Sequence, residues 1–353
     1  MQVIRRRNVS LEGALRATAL DGMNVLFVGG TGIISSACAR LALSRGIGVS
    51  FLCRGKSTRH PIPSGVDVLL GDIRDARSAR SALGNRAFDA VVQWVGFLPH
   101  HVQLDIELFR GRTGQYVFIS SAAAYQKPPA SLPVTESTVL HNPFWQYARD
   151  KIDCEEKLRA AYRGEGFPVT IVRPSHTYDV GLLPMHGGWT VVDRMRRGLP
   201  VVVHGDGTSL WTLTHCDDFA RGFVGLLGHP SAVGEAFHIT SDETLTWNQI
   251  HEILGRAAGA SPRLVHVPSE LIAACDPHWG ASLLGDKAHS MVFDNGKIRR
   301  LVPDYRATIP YARGAERQAA WYDEDPRRQV VDGETNAVID RILERYERAW
   351  PDL

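Results

Sequence analysis

The chain opens its ordered pattern with a short apolar run, Asn24–Val28 (NVLFV), followed at once by GGTGIIS and then by ACARLALSRG. The last of these reads as a helix that stops near Gly46. Apolar runs recur at 49–53, 66–70, 87–95 (AFDAVVQWV), 116–120 (YVFIS) and 169–172 (VTIV), with helical patterns such as ARSARSAL between them. Strand runs that alternate with helical runs predict βαβ units, hence an α/β fold with a doubly wound parallel sheet and helices on both faces. A long helix is expected over 144–162, with Asn142 as its N-cap and Pro143 at its first position. After Arg173 the pattern changes to Gly- and Pro-rich loops (LLPMHGGW, HGDGTS) mixed with shorter helices, for example 247–258, and a charged helix near 334–350 closes the chain.

The segment GGTGIIS sits where a strand turns into a helix. Gly29, Gly32 and Ser35 stand at the spacing G-x-x-G-x-x-G. Such a turn needs residues free of a Cβ clash, and it brings backbone close to a pyrophosphate at a helix N-terminus, where free N–H groups and the helix dipole favour an anion. Ser35 is small enough for helix and sheet to approach. An ordinary tight turn is the plainer alternative, but the strand–turn–helix context is the one a dinucleotide site requires. The division that follows is an arm over 1–22, a dinucleotide-binding (Rossmann) domain over 23–173, a smaller C-terminal substrate-binding lobe over 174–322 with some segments returning to the sheet, and a helical extension over 323–353.

The second strand ends FLCRGKS. An NAD-selective site usually has an acidic residue there for the ribose hydroxyls. Here Cys53 is followed by Arg54, whose guanidinium suits a 2′-phosphate, so NADP is favoured over NAD. Arg54 could also stack on the adenine or face solvent. Asp72, after the third strand, is placed to accept from the adenine amine or to serve as a turn residue.

Ser120 and Ser121 end the fifth strand, at the carboxyl edge where open sheets place ligands. Tyr147 and Lys151 follow four apart on a predicted helix, so their side chains share a face. That pair is either a ring packed on a lysine stem or a proton relay. A phenol ionises near pH 10, and a neighbouring ammonium and a positive nicotinamide ring would lower that value. Tyr147 could then exchange a proton with a substrate hydroxyl while Ser121 holds the same oxygen in line.

Gly-rich loop, strand-end serine and Tyr-x-x-x-Lys, in that order, resemble the short-chain dehydrogenase/reductase superfamily. ISSAAAY, VRPSHTY, HGDGTSLWTLTHCDDFA and FDNGKIRRLVPDY are similar to its extended branch, the NAD-dependent epimerase/dehydratase family, from about Asn24 to Trp321. The resemblance implies catalysis by Ser121, Tyr147 and Lys151. It implies an NAD(P) site formed by Gly29, Thr31, Gly32, Ile33, Ile34, Arg54, Asp72, Ile73 and Pro174, joined by Tyr147 and Lys151. It implies substrate contacts from Ser121, His176, His186 and Trp211, a sugar or nucleotide-sugar substrate, and a homodimer.

Departures narrow this expectation. Family dehydratases carry Asp-Glu after the strand-end hydroxyl, whereas Ala122 and Ala123 stand here and cannot do acid–base work. HHVQLDIELFRGRTG replaces the usual Asn-x-x-Gly-Thr helix, an abbreviation similar to the subgroup of chloroplast stem-loop-binding proteins, some of which are linked to RNA. Trp211 stands where epimerases place a diphosphate-gripping Arg, and it could stack on a base or sugar face. Arg196, Arg197, Arg299 and Arg300 are possible substitutes for the missing charge. His176 could be a second acid/base, a polar anchor or a backbone-bonded ring. His186 precedes Gly187 and Gly188, which form a hinge or a turn. Asp218 reads as the N-cap of the helix at Phe219.

Forty Lys+Arg against 38 Asp+Glu leave a net charge of +2, so nothing points to nucleic acid. The five cysteines are widely spaced with no C-x-x-C, which predicts neither disulfide framework nor metal site and suits a reducing cytoplasm. No apolar run reaches membrane-spanning length, and residues 1–22 lack the apolar core of a secretory signal. The expectation is therefore an NAD(P)-dependent enzyme acting on a small molecule. A nucleotide-sugar epimerase comes first, then an NADPH-dependent ketoreductase or dehydrogenase, then a non-catalytic nucleotide- or RNA-binding protein.

Overall fold

The computed structural model describes residues 22–57 and 59–349. The arm expected over 1–22 thus lies, save Gly22, outside the described residues. Six strands carry the first half: β1 (Asn24–Val28), β2 (Gly48–Cys53), β3 (Asp67–Leu70), β4 (Phe88–Gln93), β5 (Thr113–Ile119) and β6 (Val169–Pro174). Short strands β7 (His176–Tyr178), β8 (Pro200–His204), β9 (Leu210–Trp211) and β10 (Leu213–His215) build the lobe, and β11 (Ala236–Ile239) returns to the main sheet. The sheet has seven strands in the order β3-β2-β1-β4-β5-β6-β11, every neighbouring pair parallel. Strand order reverses between β1 and β4, where open α/β sheets leave a crevice at their carboxyl ends.

Both sheet faces are buried, which is why the strands read as unbroken apolar runs. Val25 and Phe27 pack with Phe51 and Val92 against Ala37, Cys38 and Ala42 of α1 (Ile33–Ser44) and against Phe219 and Phe223. Leu26 and Val28 point to the opposite face, with Leu52, Val91 and Phe118. There they meet Leu83 of α2 (Ala76–Leu83), Val102 and Ile106 of α3 (Pro99–Phe109), and Leu158 of α4 (Gln146–Glu165). The lobe has a core of its own. It includes Val201, Val203, Trp247, Ile250 and Leu254, and also Ile339, Ile342 and Leu343 from the charged C-terminal helix Gly333–Arg348.

Two expected caps are corrected. The long helix begins at Gln146, not Phe144, because Asn142 is spent on a turn ahead of it. Its Oδ1 accepts from the N–H groups of Phe144 (3.2 Å) and Trp145 (3.1 Å), and its amide donates to the carbonyls of Ala123 (2.9 Å) and Gly285 (2.6 Å). Asp218 lies inside the helix Cys216–Leu226, which His215 caps by accepting from the Asp217 N–H at 3.2 Å. The Asp218 carboxylate instead accepts from the backbone of Thr308 (3.0 Å) and Ile309 (2.8 Å), tying a distant loop to the sheet's flank. Among the described residues, His215, Cys216 and Asp217 bring ligand-type atoms within 4.8 Å of one another, but the Nδ1 lone pair of His215 is already the cap.

Candidate active site

The turn from β1 to α1 forms one end of a cavity of about 660 Å³. Gly29 and Gly30 take φ of +92° and +149°, conformations that side chains resist. A Cβ on Gly30 would stand 2.6 Å from the Phe51 ring. Ser35 ties the loop to the helix: its hydroxyl accepts from the Gly32 N–H at 2.9 Å. Gly29, Thr31, Gly32, Ile33, Ile34, Arg54, Asp72 and Ile73 all line this cavity. Arg54 is mostly exposed and lies 4.0 Å from the Asp72 carboxylate. Lys56 and Arg59, which sequence reasoning passed over, line the same end. Asp72 also serves its turn, accepting from the Arg74 N–H at 2.9 Å. Trp94, Val95, Phe97 and Ile119 close the inner end.

Beyond Ile119 a second chamber of about 230 Å³ holds Ser121, Tyr147, Pro174, His176 and Trp211. Pro174 and Tyr147, expected to touch the cofactor, line this chamber and not the larger cavity. Ser121 and the Tyr147 phenol line this chamber together, and the Ser121 oxygen accepts from the Ala123 N–H at 3.1 Å. Burial pushes the phenol's pKa up, the neighbouring Ser121 hydroxyl opposes this, and the negative Asp286 adds to it. The protein alone thus holds Tyr147 as a neutral phenol.

Lys151 is one turn further along α4 and almost fully buried. Its ammonium donates to the carbonyls of Gly96 (2.7 Å), just beyond β4, and Ile119 (2.8 Å), at the end of β5. It lies over the rings of Phe118 (4.8 Å) and Phe97 (4.9 Å), and 5.8 Å from the Tyr147 ring centre. Burial lowers it to about 8, so it is charged at neutral pH. Two of its three donors are engaged by those carbonyls, and Ile119, whose carbonyl it holds, lines the larger cavity.

His176 receives the Trp211 indole N–H at its Nδ1, 3.1 Å away. An indole can only donate, so Nδ1 is unprotonated and the ring carries its proton on Nε2. Burial, helped by Lys287, drives its pKa down to about 3. His176 is therefore neutral, with its Nε2–H as the ring's donor. His186 lines a neighbouring chamber, also about 230 Å³, where its ring stacks on Trp279 at 4.4 Å. His176 and Lys287 line both chambers. Gly187 and Gly188, at φ +90° and +53°, make a tight turn leading into the helix Trp189–Arg196.

The four arginines considered for the substrate are elsewhere. Arg196 pairs with Asp323 (2.7 Å), Arg197 with Asp193 (3.3 Å) and Arg299 with Asp242, while Arg300 lines a groove near Glu235. None lines either chamber. Sequence reasoning missed the charges that do. Leu283–Lys287 forms a π-helical turn that delivers Asp286 and Lys287 to the chamber wall, and buried Lys127 reaches Asp286 at 3.0 Å. A signal existed: the chain has six lysines beside 34 arginines, and Lys127, Lys151 and Lys287 all gather here.

The profile of the NAD-dependent epimerase/dehydratase family matches residues 25–240, a span holding the glycine turn, Ser121 and the Tyr147/Lys151 helix. The chain belongs to this family. Its relatives are mostly enzymes by name, among them a reductase, a dehydratase, a decarboxylase and an epimerase. It is 28% identical to a 2′-dehydrokanamycin reductase of Streptomyces kanamyceticus over 334 residues, covering 92% of this chain and 91% of that protein. It is 27% identical to a chloroplast stem-loop binding protein of Arabidopsis thaliana over 281 residues, 75% of this chain and 72% of the relative. Among solved structures, the dTDP-glucose 4,6-dehydratase DesIV of Streptomyces venezuelae, with NAD bound, superposes with a TM-score of 0.66 at 25% identity, over 86% of this chain and 98% of that one. No described helix is long and apolar enough to cross a membrane.

Proposed function

We propose that this family member is an NADP(H)-dependent reductase, or in reverse a dehydrogenase, of a secondary alcohol or ketone on a sugar-like ring. The observation that carries the reading is a small chamber lined by both Ser121 and Tyr147, with Lys151 one turn along the same helix and bonded to the carbonyl of Ile119, a residue that lines the dinucleotide-sized cavity. The residues present fit a nicotinamide dinucleotide. The left-handed glycine turn has room for no side chain at Gly30, and the first turn of α1 lines the cavity with the unpaired N–H groups that a pyrophosphate takes. Arg54, Lys56 and Arg59 at the far end suit a 2′-phosphate, against the single carboxylate of Asp72.

When bound, the reduced nicotinamide would supply hydride to a carbonyl carbon. Tyr147 hands its phenolic proton to the carbonyl oxygen, which suits a phenol whose surroundings keep it protonated. Ser121 shares that oxygen and fixes its line of approach. The Lys151 ammonium then stabilises the phenolate left on Tyr147, until solvent returns a proton. His176 donates from Nε2 to a second substrate oxygen, and Trp211 fixes its orientation.

The nucleotide-sugar epimerase expected first from the resemblance asks for cationic groups around a diphosphate. The chambers offer no guanidinium, and a relative that matches over 92% of this chain is named a reductase. The test is incubation with NADPH and a panel of cyclic keto sugars, following loss of reduced-cofactor absorbance. Steady consumption supports reduction. Interconversion of sugar epimers with no net cofactor consumption would instead establish the epimerase.

A further inference from the structure

We infer that the substrate held beside Tyr147 carries its own anionic group, a carboxylate or a phosphate monoester, and that Lys287 receives it. The inference rests on the reading that this chamber is where Tyr147 acts. The chamber contains one positive charge too many. Asp286 is the carboxylate on its wall, and that carboxylate is committed to Lys127, 3.0 Å away and fully buried. Lys127 also reaches the Ala122 carbonyl at 3.4 Å, so this pair is a fixed part of the wall. The neighbouring His176 is neutral.

Lys287 has nothing comparable. Among the described residues no carboxylate lies within 4.0 Å of its ammonium, which sits instead over the face of Trp145, 5.5 Å from the ring centre. Met291, Phe293, Trp211 and Pro174 share the wall with a few neutral polar groups, and none of these supplies a countercharge. Burial accordingly pulls the Lys287 pKa down, with Lys127 adding to the effect against Asp286. An isolated ammonium in such a place is costly unless an anion arrives to pair with it.

Its position is held by a special piece of backbone. The π-helical turn Leu283–Lys287 is cross-tied by the Asn142 amide at Gly285, while the Lys287 carbonyl accepts from His204 (3.0 Å) and Ser209 (3.1 Å). Such turns inside helical segments are frequent at functional sites. A single unpaired ammonium matches one carboxylate or one phosphate ester. A diphosphate bridge would bring more charge than the chamber neutralises.

The test uses the full chain saturated with NADP+, whose binding reports on the cofactor reading by itself. Three probes on one ring are titrated by calorimetry: the methyl glycoside of glucuronate, methyl glucoside and glucose 6-phosphate. The wild type should bind at least one anionic probe tenfold or more tighter than the neutral one, which corresponds to about 1.4 kcal/mol. Lys287→Met should level the three, and Lys287→Arg should keep the preference. Tyr147→Phe should also keep it, since the phenol serves proton transfer and not charge recognition. Loss of NADPH oxidation in Tyr147→Phe tests the reaction separately. Selectivity between the two anionic probes names the anion. Equal binding of all three by the wild type, no binding of any, or a preference that survives in Lys287→Met would overturn the assignment.

Discussion

Replacing Asp105 with Asn should make the protein gain stability, relative to wild type, as pH rises. Asp105, on α3, is fully buried. One of its oxygens accepts from the Tyr116 hydroxyl and the Gln93 amide, each at 2.7 Å, and the other has no partner. Burial lifts its pKa from 3.8 to about 6, with the Tyr116 and Gln93 bonds and Arg74 opposing the rise. Between those two values the folded chain keeps a proton that the unfolded chain has released. Stability therefore falls as pH climbs through this window, and above it the cost is fully present. At 1.36 kcal/mol for each pH unit between the two values, the cost is about 3 kcal/mol. An Asn oxygen can accept the same two bonds and carries no charge. The difference between Asp105→Asn and wild type in urea unfolding should thus move in the mutant's favour by about 2.4 kcal/mol from pH 4 to pH 7, the rest of the cost having set in below pH 4. A difference flat to within about 1 kcal/mol across that range would refute the argument. The network reaches the site. Gln93 also accepts from the Val95 N–H at 2.8 Å, and the adjoining Gly96 carbonyl receives Lys151, so the variant's NADPH oxidation should show whether this loop keeps its shape.

Other perturbations test separate parts of the reading. Tyr147→Phe should lower kcat/KM in NADPH-dependent reduction by about a thousandfold while NADP+ binding by calorimetry stays within a few-fold. Arg54→Ala should weaken NADP+ about tenfold and leave NAD+ nearly unchanged, because it removes a partner that only the 2′-phosphate would use. Gly30→Ala should destabilise the fold by about 2 kcal/mol or more in urea and abolish cofactor binding, since its Cβ would meet a Phe51 ring that is stacked on Phe27.

Much of the scaffold was legible because local chemistry and global packing agree there. Strands buried on both faces must be apolar throughout, and a glycine turn between strand and helix admits few substitutes. The two caps failed for a common reason. Asn142 and Asp218 are good cap residues, but each found partners far along the chain, at Gly285 and at Thr308, which no local window contains. Tertiary hydrogen bonds overrode the local preference, moving the helix start by two residues in one case and the cap to His215 in the other.

The site divides along the same line. Tyr147 and Lys151 were legible because four residues on a helix bring their side chains to one face. Lys127, Asp286 and Lys287 were not, since 159 residues separate the buried lysine from its carboxylate, and a π-helical turn has no sequence pattern comparable to a Tyr-x-x-x-Lys spacing. The local pair and the distant charges do different work. Under the proposed function the pair moves a proton, a task that does not depend on the rest of the alcohol or ketone. Trp211, His176 and Lys287, which line the chamber beside that pair, come from distant segments of the chain. A reaction type proposed from a local pair is therefore readable before a substrate proposed from an assembled wall, and the charge at Lys287 is where the two proposals separate.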